Sequence, residues 1–248
     1  MNGTQEVLLR MYKDIKAVLD RHGIRYYAYF GTAVGAVRHN GFIPWDDDLD
    51  LAVWLEDIPE INRVLSGELD RSLYYYHIPR GDDHPHVISL AGGPESIRGR
   101  TAVFIDLFPL AGYPSGAVRR AFTGMSYWLD MISTYIMDHT GSGIVWKFFG
   151  FLHRASIPLA EISRGKNCDY ITVECTKYKD SVCPKKLFEK SVMFRFEDTE
   201  IPLPVEYHAV LTGIYGDYMT PPPEAERAGA TGFPLSAYRD WLIDSGKL

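Results

Sequence analysis

With 248 residues, of which 46% are hydrophobic and 23% charged, the chain has enough apolar material for a sizeable core and too much for bulk disorder. Its net charge is −6 and it contains no basic run, which excludes the phosphate-tracking surface of a nucleic-acid binder. Met1 to Gly23 mixes charges into its apolar residues, unlike a secretory leader, and no stretch is long enough to span a bilayer, so the expected address is cytoplasmic.

Val7, Leu8, Met11, Ile15, Val18, Leu19 and His22 recur at helical spacing, with Thr4 as the expected N-cap and Gly23 as the stop. Ile24 to Phe30 is aromatic and reads as a strand ended by Gly31-Thr32; Ala33 to His39 is helix-compatible, and Asn40-Gly41 breaks it. Asp46, Asp47, Asp48 and Asp50 then follow within five positions. In Asp48-Leu49-Asp50-Leu51 the side chains alternate, so a strand turns Asp48 and Asp50 to one face and the leucines to the other.

Asp57 to Leu69 suits a helix with Pro59 in its first turn. Leu73 to Ile78 and Val87 to Leu90 read as short strands flanking the polar loop Gly81 to His86. Thr101 to Phe108 is a further strand whose apolar run is interrupted by Asp106. Ala117 to His139 and Ile144 to Ile162 read as helices, the second pausing at Pro158. Val192 to Phe196 and Ile201 to Leu203 suit a hairpin, Pro204 opens a helix ending at Gly216, and the tail from Pro221 on is expected to be irregular. The class is α/β: a mixed sheet flanked by helices, with an appended helical subdomain. Boundaries are expected at 1–114 for the catalytic core, 115–182 for the helical region and 183–248 for a C-terminal hairpin, helix and tail.

Carboxylates repel one another, so bunching them favours a cation. Asp48 and Asp50, joined by Asp106 from a neighbouring strand, offer the hard oxygens that suit Mg²⁺ or Mn²⁺ bound together with a phosphate. Gly31 and Thr32, between a strand and a helix, let backbone N–H groups approach that phosphate. Arg38 is expected to clamp the phosphate, the alternative being that it offsets the aspartates. For His39 a structural role at the helix end competes with a substrate-binding one.

The run FGTAVGAVRHNGFIPWDDDLDLAV resembles the signature of the LicD family, a branch of the nucleotidyltransferase-fold superfamily to which fukutin-related protein also belongs. VFIDLFPLAGYP, containing Asp106, and LFEKSVMFRFEDTEIPLPVEYHAVLTGIYGDYMTPPP resemble further stretches of that family, whereas 115–182 carries little similarity. The resemblance implies a nucleotidyltransferase-like core and metal-dependent transfer of phosphocholine from CDP-choline to a sugar hydroxyl of a cell-surface glycan. Glycerol phosphate, ribitol phosphate or a nucleotide are the alternative cargoes, and a non-catalytic binding protein is the alternative class. Carried over, Gly31-Thr32 is the phosphate-binding turn, Asp48 and Asp50 the metal pair, and Asp106 the third carboxylate, which also helps deprotonate the acceptor. Asp46 and Asp47 are expected to be connector residues.

A choline headgroup calls for ring faces, for which Trp45 and the tyrosines Tyr27, Tyr29, Tyr74, Tyr75 and Tyr76 are candidates. Cys168, Cys175 and Cys183, with His153, can be written as a structural Zn²⁺ set, but their spacing is loose and buried free thiols are the preferred reading. Ile144 to Ala160 mixes aromatics with Lys147, His153 and Arg154. Such a helix can lie peripherally on a membrane beside a lipid-linked acceptor, be buried, or form a dimer contact.

Overall fold

The computed structural model describes residues 1–247 except 79–83, 100, 141–142, 165–167, 174–181 and 228–234. The first helix, α1 (Gly3–Arg21), starts earlier than Thr4 because Asn2 makes a capping box: its side chain accepts from the Gln5 amide at 2.9 Å while Gln5 reaches back to the Asn2 N–H at 3.1 Å. Strand β1 (Tyr26–Ala28) is only three residues long, because helix α2 (Phe30–His39) begins before Gly31 and takes Gly31 and Thr32 into its first turn. Asn40 closes α2 in the left-handed region, at φ 55°.

Strand β2 (Leu49–Trp54) and helix α3 (Ile58–Glu68) follow, then the hairpin partners β3 (Tyr74–His77) and β4 (His86–Ser89), a short helix α4 (Gly93–Arg98) and the long strand β5 (Phe104–Tyr113). Beyond the helices α5 (Ala117–Thr140) and α6 (Gly143–Arg164), strands β6 (Tyr170–Val173) and β7 (Cys183–Pro184) return to the sheet. The hairpin β8 (Ser191–Phe196) and β9 (Thr199–Pro204), helix α7 (Tyr207–Tyr215) and helix α8 (Leu235–Asp244) complete the order. Thus α6 runs through Pro158, Pro204 ends a strand instead of opening α7, and the expected irregular tail contains a helix.

The main sheet is mixed, with order β1-β2-β5-β4-β3 and β6 joined to the far end of β5. β2 and β5 are parallel and every other pairing is antiparallel. Alternation divides the sheet cleanly. Leu49, Leu51, Val53, Ile105 and Leu107 face a core formed with Leu8, Met11 and Ile15 of α1 and Ile61, Val64 and Leu65 of α3. The opposite face carries two separate apolar patches. Ala52, Trp54 and Leu110 pack with Ile171, Phe188 and Val210, whereas Ile88 and Phe104 pack under Ala237 and Trp241 of α8. Between the two patches lies a polar row.

The helices α5 and α6 pack antiparallel, with His153 Nδ1 3.0 Å from the Ser126 carbonyl oxygen and Gly150 close to Ser133. Their outer side is not buried: Trp128, Phe148 and Phe151 are 57–62% exposed, which removes the buried-helix reading. Among the described residues no helix is long and apolar enough to cross a membrane.

Candidate active site

The polar row follows from register. Asp50 of β2 is paired with Asp106 of β5, Asp106 with His86 of β4, and His86 with His77 of β3. Paired residues on neighbouring strands project to the same face, so four chemically active side chains cross the sheet in one line. All four are buried, His77 completely.

Two elements hold the acidic end. Thr32 Oγ1 accepts from the Asp50 amide at 2.8 Å, and Asp50 returns its carbonyl to the Tyr29 N–H at 3.0 Å, so the first turn of α2 is fastened to β2 at the aspartate itself. Gln5 of α1, 2% exposed, donates from Nε2 to the carbonyls of Ile43 and Asp46, both at 3.0 Å, and fixes the connector that delivers the acidic run. Gly31 is needed at this point for space: a Cβ there would stand 2.8 Å from Asp46 Oδ2. Asp46 is therefore not merely a connector residue, because its carboxyl packs on α2 and shares a hydrogen bond with Asp48.

The electrostatics are those of crowded acids. Burial, followed by the charges of Asp48, Asp106 and Asp46, drives Asp50 well above the ordinary carboxylate range. Burial and then Asp46 and Asp106 push Asp48 up to about 8. Asp46 is raised as well, chiefly by burial. Asp106 goes the other way: burial raises it, but the adjacent imidazoles of His84 and His86 outweigh that and leave it lowered. His84 is itself held down to about 3, first by burial and then by His86, so it is neutral. The shorter of the two contacts is the 2.6 Å bond donated by His86 Nδ1 to Asp106 Oδ1.

In the sequence His84 and His86 stand at the end of a polar loop. The Leu107 N–H donates to the Pro85 carbonyl at 3.0 Å, carrying the β4–β5 ladder past the start of β4 and turning both imidazoles to the Asp106 face. His84 Nε2 stands 3.5 Å from Asp106 Oδ1, and its ring stacks on Phe108 at 4.2 Å. The recoverable signal was the His-x-His alternation one hairpin before Asp106.

The other expected residues are placed differently. Arg38 donates from Nη1 to the Tyr218 carbonyl and from Nε to His39 Nε2, both at 2.9 Å; burial and then Arg227 lower it. His39 is lowered by burial and by Arg38. Trp45 already carries a cation on its face, the Arg227 guanidinium at 4.2 Å. The tyrosines are divided among three separate apolar clusters, Tyr27 and Tyr29 in one, Tyr74 and Tyr76 in another and Tyr75 in the third, so they do not converge as one ring cage. Cys175 lies outside the described residues, and burial pushes the Cys183 thiol up to about 11, as suits a core thiol.

Comparison with known proteins sets this geometry in a family context. Residues 23–120, which include Gly31, Thr32, the acidic run, His84, His86 and Asp106, match the LicD/FKTN/FKRP nucleotidyltransferase domain. The chain is 26% identical to the lipopolysaccharide cholinephosphotransferase LicD of Haemophilus influenzae, over 90% of this chain and 92% of that protein. It is 39% identical to the ribitol 5-phosphate transferase FKRP of Homo sapiens over 22% of this chain and 11% of that one. An uncharacterized protein of Rickettsia prowazekii, RP689, is 41% identical over 23% of this chain and 22% of its own.

Proposed function

From the match of residues 23–120 to the LicD/FKTN/FKRP nucleotidyltransferase domain, we propose that the chain transfers phosphocholine from CDP-choline to a sugar hydroxyl of a cell-surface glycan. The observation that carries the reading is the in-register pair Asp50 and Asp106, with Asp48 and Asp46 crowded against it and their carboxyls pushed up. Acids so arranged take up either protons or a cation, and their oxygen-only character fits Mg²⁺ or Mn²⁺. Asp48, Asp50 and Asp106 would hold that ion, which when bound neutralises phosphoryl oxygens and acidifies a coordinated hydroxyl.

In the proposed reaction the acceptor oxygen attacks the choline-bearing phosphorus, the bond from that phosphorus to the bridging oxygen breaks, and CMP leaves with the bridging oxygen. Asp106, lowered by its imidazole neighbours, is better suited to holding the cation than to accepting a proton, contrary to the expectation from the resemblance. Asp48, raised to about 8 only while no cation is bound, would give up its proton to the ion and serve as its ligand, and the hydroxyl acidified by that ion would release its proton to solvent. Gly31 and Thr32 keep the backbone close to the acidic residues, and Arg38 with Arg227 supplies positive charge for the nucleotide phosphate. A lipid-linked acceptor with peripheral membrane contact belongs to the same proposal, and the exposed Trp128, Phe148 and Phe151 on α5 and α6 suit either that contact or a dimer contact.

The test is CMP release from a panel of CDP-choline, CDP-glycerol and CDP-ribitol with Mg²⁺, with and without glycan acceptors. Acceptor-dependent release from CDP-choline, abolished in folded Asp48→Asn and Asp50→Asn, is expected. Release from CDP-ribitol alone would move the reading to polyol phosphate transfer, and turnover retained in either variant would remove the carboxylate assignment.

A further inference from the structure

Asp106 is approached on one side by aspartates and on the other by two imidazoles, and among the described residues His84, His86 and Asp106 form a group whose ligand atoms all lie within 4.8 Å of one another. We propose that these three residues are a transition-metal site, chemically distinct from the oxygen-only position at Asp48 and Asp50 and sharing the Asp106 carboxylate with it. The inference rests on the proposed site only in that shared residue.

The geometry is close to a coordination shell. Donor atoms around a four-coordinate zinc stand about 3.3 Å apart. His86 Nδ1 and His84 Nε2 lie 2.6 and 3.5 Å from the same oxygen, Asp106 Oδ1, and the two rings are 4.6 Å apart between centroids. Small side-chain rotations bring all three into one shell.

The backbone sets this up. His86 opens β4 and His84 precedes it by two residues, the first held at Asp106 by the β4–β5 register and the second brought there by the Leu107 to Pro85 bond. Their rings are fixed from outside the group. Phe108 stacks on His84 at 4.2 Å, and His77 stacks on His86 at 5.6 Å with the planes 14° apart. Such support limits the loss of side-chain freedom on binding and orients the ligands.

The donor set determines the class of ion. Two nitrogens and one carboxylate are a poor match for Mg²⁺, which prefers oxygen, and a good one for Zn²⁺, Co²⁺ or Fe²⁺, with positions left for water or a substrate oxygen. A purely structural pair of histidines is the competing reading, and metal titration separates the two.

The probe is Co²⁺ added to the metal-stripped full chain, read by its visible absorption. Expected are ligand-field bands saturating near one equivalent, displaced by Zn²⁺ and not by a hundredfold excess of Mg²⁺. The bands should disappear in His84→Ala and His86→Ala and persist in Asp48→Asn, whose loss affects only the oxygen-only position. His84→Gln and His86→Gln, with circular dichroism on each, keep the test valid if an alanine variant unfolds. Bands absent from the wild type, or unchanged in folded histidine variants, would overturn the proposal. Because the readout is spectral, abolished CMP release with an intact Co²⁺ spectrum in Asp48→Asn supports the site, whichever alcohol phosphate is transferred.

Discussion

His77 of β3 donates from Nε2 to Asp240 Oδ2 of α8 at 3.2 Å, joining the C-terminal helix to the same line of residues that ends at Asp50. His77 is completely buried, and its Nδ1 has no hydrogen-bond partner among the described residues. Asp240 is therefore the acceptor on which this imidazole depends. Burial lowers the His77 pKa more than Asp240 raises it, so the interaction is a hydrogen bond from a neutral ring to a carboxylate. Replacing Asp240 by Ala strands a buried donor and is expected to cost about 2 kcal/mol, whereas Asn, which still accepts, should cost less than half as much. Urea denaturation of the two variants distinguishes this from a general loss of α8 packing, which would affect both equally.

Thr32 is expected to matter as an acceptor. Its hydroxyl takes the Asp50 N–H at 2.8 Å in a buried setting, so Thr32→Val keeps the shape and leaves that N–H without a partner. The expected cost is on the order of 1–2 kcal/mol in stability. A greater proportional loss should appear in kcat, because the Asp50 backbone is what the bond positions, and Thr32→Ser should restore both. Steady-state CMP release beside thermal melting checks it.

Much of this arrangement could be read from residue order, and the parts that could not have physical reasons. The alternation of Leu49, Asp50 and Leu51 was legible because one side of β2 is a continuous apolar core, whereas Asp48 lies just before the strand. Asp106 stood out for the same reason. The imidazoles at 84 and 86 were hidden because Pro and polar neighbours look like a loop, and only the pairing with β5 makes them a strand end. β6 was missed because four residues make too short a pattern, and Tyr27, Tyr74 and Tyr76 are not a ring cage because their strands place them in two separate apolar clusters. α8 was obscured by the Pro- and Gly-rich segments before it.

Gly31 and Gly35 lie one helical turn apart in α2 and should respond differently to alanine. At Gly35 the new Cβ would be 2.5 Å from the Gly41 carbonyl oxygen and 3.2 Å from the Ile43 amide nitrogen, both backbone, so the turn carrying the acidic connector must shift. About 3 kcal/mol of destabilisation is expected. At Gly31 the obstacle is the end of the Asp46 side chain, which can rotate away. Gly31→Ala should therefore cost under about 1 kcal/mol while weakening Mg²⁺ binding, measured by calorimetric titration of a protein that melts almost normally.

The crowded carboxylates also predict how the metal-free chain responds to pH. Asp48 rises from 3.8 to about 8 on folding and Asp50 moves in the same direction, so over that interval the folded state binds more protons than the unfolded one. Stability contributed by these protons is present at low pH and is lost as pH rises toward the folded value. His84 acts in the opposite sense: lowered from 6.5 to about 3, it makes the unfolded state the greater proton binder and adds stability as pH rises through that lower range. The contributions oppose each other below 6.5, and above it only the acids remain. Between about pH 6.5 and 8 the melting temperature in EDTA should therefore fall. Saturating Mg²⁺ should remove most of that slope by replacing the protons, and Asp48→Asn should flatten it without metal. A melting temperature that is level or rising across this window in EDTA would contradict the crowding of Asp46, Asp48 and Asp50 on which the proposed cation position depends.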